Sequence, residues 1–281
     1  MKKILFFFIS FSIVILSQDI PDLIKSSKPS LVSIVKRVDT NHFVIIGSGF
    51  FINNNGTIAT CYHVVKELEK VFVLKSEDLE KASFVGYIEN QEGLPQLNLP
   101  VYKLEEIKLF ILASIMKQDV KNDLAVLWTN LVNTSHLEFG STDSLNEGDE
   151  VIFLGFPFGY NRATTHKGMV SYKGKIIISD DSSNAPIGAL QIDGIINSGN
   201  SGGPLISPKQ NKVVGVIKAK AGNVGAYLES IIKGKIKTRG IGLGQIDFGI
   251  FTREVASAID RHIQMGIGFA IIVESLRQLV K

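Results

Sequence analysis

The sequence predicts an all-β protein, and three observations carry that prediction. Short runs rich in Val, Ile and Phe recur along the chain, separated by Asn, Gly or charged residues. Two of these runs are joined by Asn53-Asn54-Asn55-Gly56, and Asn-Gly tolerates the positive φ that a tight hairpin requires. Long helical spacing is confined to the C-terminal end. Short strands at such intervals argue for barrels or sandwiches.

The first strand series occupies residues 31–37, 42–52, 57–60, 71–75 and 83–88. Residues 89–120 break the rhythm, with a Pro-bounded loop over 93–100 and an amphipathic helix expected over 104–116. A second series follows at 124–128, 150–154, 168–172, 175–179, 189–192, 213–218 and 246–251. The polar stretch 130–147 is the expected linker, dividing 18–132 from 133–281. Residues 219–244 form a Gly- and Lys-rich insertion with Tyr227, Leu228, Ile231 and Ile232 as an apolar patch. Thr252 is placed to cap a helix with Val255, Ala256, Ile259 and Ile263 on one face.

Composition narrows the class. The 281 residues include 20% charged residues and 17 Phe, too apolar for disorder, and the 26 Gly have no collagen-like period. A net charge of +3 gives no electrostatic case for a nucleic-acid partner. Cys61 stands alone, so no disulfide forms within the chain and no Cys-rich zinc site is expected; it reads as a small core residue. Met1-Lys2-Lys3, an apolar run over 4–16 broken by Ser10 and Ser12, and Ser17-Gln18-Asp19 have the pattern of a secretory signal peptide spanning 1–17. The run falls short of the roughly 20 residues of a membrane span. The apolar run at 267–273 is shorter still and stops at Glu274. The expectation is a bacterial exported protein, periplasmic or extracellular, with no stable membrane span once the signal is cleaved. Cleavage removes two Lys and leaves the mature chain close to neutral.

Gly199-Asn200-Ser201-Gly202-Gly203-Pro204 carries the sharpest chemical signal. Flanking glycines let the backbone turn tightly, expose a Ser hydroxyl and bring N–H groups toward an oxyanion. The plain alternative is a Gly-rich turn with an incidental Ser. A Ser nucleophile needs a base, and among His42, His63, His136, His166 and His262 only His63 follows a strand directly within a motif, Thr60-Cys61-Tyr62-His63-Val64-Val65. The base needs a buried carboxylate to orient it. Asp123 begins the apolar run Leu124-Ala125-Val126-Leu127, a costly place for an unpaired acid; Asp119 competes from a more polar stretch.

In that order, Thr-x-x-His-Val-Val, Asp-Leu-Ala-Val-Leu and Gly-Asn-Ser-Gly-Gly-Pro-Leu resemble the trypsin-like serine proteases, and among them the bacterial HtrA/Deg-type branch. Gly47-Ser48-Gly49-Phe50, Gly148-Asp149-Glu150-Val151, Gly155-Phe156-Pro157-Phe158-Gly159 and Gly168-Met169-Val170-Ser171 extend the likeness over roughly residues 28 to 260. The resemblance implies a double six-stranded β-barrel with a C-terminal helix. It implies His63 and Asp123 from the first barrel, Ser201 from the second, and an oxyanion hole from the N–H groups of Gly199 and Ser201. It implies protein or peptide substrates and no cofactor or metal.

The chain also departs from the pattern. The His-to-Asp spacing is long because of the 89–120 insertion. Asn200 stands where zymogen-activated relatives carry Asp, so trypsin-style activation is not expected. No PDZ module follows in this sequence, so a stand-alone protease domain is expected. In the family, the segment before the nucleophile lines the specificity pocket, which assigns Ile195, Ile196 and Asn197 to substrate binding, with Ile217 and Lys218 from the following strand. Ile195 in place of an acid disfavours cleavage after Lys or Arg and favours aliphatic residues. A glutamyl-endopeptidase-like preference is the alternative that Lys218 keeps open. A different class of reading is a catalytically silent, chaperone-like binding module.

Overall fold

The structure, a computed structural model, describes residues 19–88, 99–177, 186–218, 242–243, 246–247 and 267–281. The expected signal peptide, the apolar patch at 227–232 and the helix expected from Thr252 lie outside these residues.

After a short helix α1 (Ile20–Ser27), strands β1 (Leu31–Arg37), β2 (His42–Phe51), β3 (Thr57–Cys61) and β4 (Val71–Lys75) are laid down, with the single-turn helix α2 (Tyr62–Val65) directly after β3. Then come β5 (Ser83–Ile88), β6 (Leu99–Lys103), β7 (Ile111–Asp119) and β8 (Leu124–Trp128). The antiparallel order β1-β4-β7-β8-β3-β2, closed by β1 pairing β2, makes a six-stranded barrel, and β6-β5 extends from β2. Asn53 supports the hairpin turn: its side-chain oxygen accepts from the N–H groups of Asn55 and Thr57.

Strands β9 (Glu150–Gly155), β10 (Thr164–Ile176), β11 (Ile187–Asp193), β12 (Pro204–Ser207) and β13 (Lys212–Lys218) belong to a second unit. A small pair, β14 (Gly242–Leu243) and β15 (Ile246–Asp247), precedes β16 (Ile267–Ile272) and helix α3 (Val273–Val280). The order β10-β11-β16-β13-β12-β9 closes a second barrel.

Side-chain alternation explains how the barrels join. On β9, Val151 and Phe153 fill the second barrel, while Ile152 and Leu154 belong to the core cluster that includes the first. On β13, Val214 and Ile217 belong to the second barrel's cluster and Val213 and Val216 to the larger one, the three-residue spacing accompanying a register shift that leaves Val214 unpaired with β12. Strands buried on both faces read as continuous apolar runs. The loop bearing Ser201 is thereby held against the first barrel.

Helix α3 locks the linker. Glu274 accepts from the Thr142 N–H at 2.9 Å and its hydroxyl at 2.6 Å, while Arg277, one turn on, donates to the carbonyls of Phe139 and Gly140. Buried Val273 and Leu276 pack the opposite side into the core.

Two sequence expectations are corrected. The helix expected over 104–116 is a 3-10 turn (Ile107–Leu109) followed by β7, because pairing with both β4 and β8 outweighs local periodicity. A register shift between Ile115 and Lys117 leaves the adjacent Ile115 and Met116 both exposed, which breaks the period of two, and Leu112 is exposed as well. The strands expected at 168–172 and 175–179 are one continuous β10 with a register shift between Val170 and Tyr172. The run at 267–273 supplies β16 and starts α3, the described C-terminal helix.

Candidate active site

His63 stands in α2, at the end of strand β3, on the rim where the two barrels meet. Asp123 precedes β8, which pairs with β3 and sets Cys61 opposite Leu124. Asp123 has φ 55°, a left-handed conformation that Asp tolerates better than most residues. The Asp123 carbonyl accepts from the Tyr62 N–H, and its Oδ1 accepts from the His63 N–H at 2.9 Å. Asp123 thus satisfies two N–H groups at the start of α2, one through its carbonyl and one through its carboxylate. Its Oδ2 lies 2.7 Å from His63 Nδ1. An ionised carboxylate only accepts, so this contact puts the proton on Nδ1 and leaves the Nε2 lone pair as the base.

Asp123 is 3% exposed. Burial pushes its carboxyl up, but the His63 hydrogen bond and charge, the Lys218 ammonium and the His63 N–H together hold it below the usual carboxylate range. Asp119 takes a different part: its oxygens accept from the Asn122 N–H and side-chain amide within the turn before Asp123.

Ser201 sits in a loop tied on all sides. Asn200 N donates to Asn197 O, Gly203 N to Asn200 O, and Gly202 N to Ile217 O. The first barrel reaches across: Ser48 N–H donates to the Ser201 carbonyl at 2.8 Å, and the Ser48 hydroxyl to the Gly199 carbonyl at 2.6 Å. The same Ser48 hydroxyl accepts from Phe156 N–H, and Thr60 Oγ1 donates to the Ser48 carbonyl. Glycine is required at two points. Gly199 has φ +94°, and a Cβ there would lie 2.2 Å from the Phe156 carbonyl; at Gly202, φ +88°, it would lie 2.1 Å from the Ser48 carbonyl. The Ser198 carbonyl accepts from Phe158 N–H at 2.6 Å. In a trans peptide this turns the Gly199 N–H away from the 156–159 turn, the orientation an oxyanion donor on the other side needs.

The residues expected to bind substrate separate. Ile195 lines an open cavity of about 550 Å³ with His166, Met169, Asp193 and Gly194. Ile196 is turned inward, where its side chain would collide with a Cβ at Gly268. Asn197 lends its carbonyl to the loop turn. Ile217 is fully buried, its carbonyl accepting from Gly202 N–H and the Cys61 thiol. Lys218 is also buried, with Nζ 3.2 Å from Asp123 Oδ2. Ile217 and Lys218 therefore stand behind the His63–Asp123 pair instead of lining a pocket, because the last residues of β13 pair with β16 inside the barrel wall.

Sequence reasoning passed over Ser48 as an anchor, quoting it only within a motif, and missed the Lys218–Asp123 pair. The other described His lie elsewhere: His42 pairs with Asp39, His136 sits near the Thr134 carbonyl, and His166 stacks on Phe153. His262 is outside the described residues. Cys61, His63 and Asp123 do offer ligand atoms within 4.8 Å of one another. That set fits a cation poorly, since burial pushes the Cys61 thiol far up and Lys218 already occupies Asp123 Oδ2.

Comparison with known proteins agrees with this frame. A Trypsin-like peptidase domain model matches residues 47–216. The chain is 33% identical over 172 residues to a Rickettsia prowazekii protein described as "Probable periplasmic serine endoprotease DegP-like", covering 61% of this chain and 27% of that protein. It is 32% identical over 172 residues to the magnetosome formation protease MamE of Magnetospirillum gryphiswaldense, covering 61% of this chain and 18% of that one. The chain thus spans about a quarter or less of these relatives. The structure resembles that of the HtrA-type protease AlgW with tripeptide, with a TM-score of 0.60 at 18% identity over 94% of this chain and 62% of that one, a likeness of fold. With a double barrel in place and the family model matching most of the chain, the protein belongs to the trypsin-like peptidase domain family.

Proposed function

We propose that the chain is an exported serine endopeptidase that cleaves peptide bonds of proteins through an acyl-enzyme. The observation that carries this reading is the His63–Asp123 contact at 2.7 Å beside a Ser201 loop pinned from both barrels. Ser201 Oγ attacks the scissile carbonyl while His63 Nε2 takes its proton. His63 then donates that proton to the leaving amine, and water repeats the sequence to release the acyl group. Asp123 holds the Nδ1–H tautomer and stabilises the imidazolium. The N–H groups of Gly199 and Ser201 receive the oxyanion, and no step draws on a metal or cofactor.

Ile195 at the open cavity supports a preference for aliphatic residues before the scissile bond. The glutamyl-directed alternative loses its argument, since Lys218 is committed to Asp123. A silent binding module has no use for a buried, ionised Asp123 aimed at His63. The names of the DegP-like relatives support a periplasmic location, consistent with the leader-like residues 1–17. Among the described residues, no helix is long and apolar enough to cross a membrane.

The test is hydrolysis of unfolded casein by the chain lacking residues 1–17. Ser201→Ala should lower kcat by a factor on the order of 10⁶. Retention of most of the activity in that variant would overturn the assignment of Ser201.

A further inference from the structure

Lys218 is the one charged residue among those expected to bind substrate, and its ammonium lies against Asp123 instead. It ends β13, a strand buried along nearly its whole length, and is itself 5% exposed. A Lys so placed is costly unless its charge is paired. Its Nζ lies 3.2 Å from Asp123 Oδ2, the same oxygen that His63 Nδ1 approaches at 2.7 Å. Asp123 therefore faces two nitrogen donors on one oxygen, from different barrels.

The groups around the carboxylate can be named element by element. From α2 come the His63 ring and N–H; from β13 comes Lys218; from β3 comes the Cys61 thiol, which donates to the Ile217 carbonyl and carries no charge. When His63 is neutral, the full positive charge facing Asp123 is that of Lys218. A neutral hydroxyl on β13 would also hydrogen-bond Oδ2, but it would not change the charge that His63 faces. The ammonium cancels much of the carboxylate's attraction for an imidazolium, and Coulomb interactions over such distances are large in a buried site.

We propose that Lys218 is a positioning residue for the His63–Asp123 pair: it keeps Asp123 ionised and oriented while His63 is neutral, and its positive charge offsets part of the carboxylate's pull on an imidazolium. The proposal rests on the assignment of His63, Asp123 and Ser201 given above. Lys218 acts through Asp123 and touches no substrate.

The experiment follows the rate of fluorophosphonate labelling of Ser201 across about pH 5 to 9, in the chain lacking residues 1–17. Wild type is compared with Lys218→Met, Lys218→Thr and Lys218→Arg, with folding checked by circular dichroism. The acid limb should move up by about one pH unit in the Met and Thr variants and stay in place in the Arg variant, which keeps the charge. A folded Lys218→Met whose limb is unmoved, or moved to lower pH, would overturn the proposal. If the Met and Thr variants do not fold, Asp123→Asn is compared with Asp123→Asn/Lys218→Met by NMR titration of the His63 ring. The double variant, left with no unpaired charge, should titrate about one pH unit higher, and equal titration overturns the proposal. Failure of wild type to label at any pH would instead reject the underlying site assignment, so the two failures are distinct.

Discussion

Ser48, on β2 of the first barrel, donates its backbone N–H to the carbonyl of Ser201 in the second barrel at 2.8 Å. The loop bearing Ser201 is therefore positioned from both barrels, with the Ser48 hydroxyl bridging the Gly199 carbonyl and the Phe156 N–H. Ser48→Ala keeps the main-chain bond but strands those two buried groups. A loss of about 1–3 kcal/mol in stability is expected from urea unfolding. The loop that supplies the Gly199 N–H loosens as well, so kcat/KM should fall by about 10² in protein that is still folded. Wild-type kcat/KM in Ser48→Ala would show that the loop holds its shape without the bridge.

The two candidate acids give opposite forecasts. Asp123→Asn loses the acceptor that fixes the Nδ1–H tautomer and should cost roughly 10⁴ in kcat. It also leaves Lys218 buried without its counter-charge, a penalty of about 3–5 kcal/mol in stability. Asp119→Asn touches a turn and should leave kcat within about threefold, since it loses only hydrogen bonds to Asn122. Kinetics of the two variants side by side identify the third member of the triad.

Acid stability should depend on Glu274. Burial pushes its carboxyl up, but the hydroxyl and N–H of Thr142 and further hydrogen bonds outweigh that and hold it below the usual range. A carboxyl lowered in the folded state contributes stability above its unfolded value. That contribution is lost as pH falls from the ordinary carboxylate range through the depressed folded value. Glu274→Gln should lower stability at neutral pH and flatten the slope of stability against pH in that acid window. An unchanged slope would mean that α3 is not clamped to the linker through this side chain.

Much of this arrangement is legible in the sequence where local signals agree with the fold. β1, β4, β5 and β8 run between the expected residues because each is a compact apolar run with clear boundaries. β7 is illegible for a physical reason: its register shift and exposed apolar side chains imitate helical spacing. β12 is only four residues long and hides behind the glycines of the nucleophile loop. His63, Asp123 and Ser201 stand out because each sits in a motif whose residue types the chemistry requires. Lys218 carries no such mark: at the end of the strand after the nucleophile loop it reads as a substrate-binding residue, and nothing local points to Asp123. Its partner, Asp123, belongs to the other barrel, so only the closed fold brings them together.

The central claim is that Ser201 is a nucleophile activated by His63. Mass spectrometry of the chain lacking residues 1–17 after fluorophosphonate treatment tests it most directly. The expected result is one adduct, on Ser201, forming at least about 10³-fold more slowly in His63→Ala. No adduct, an adduct on another residue, or wild-type labelling in His63→Ala would contradict it.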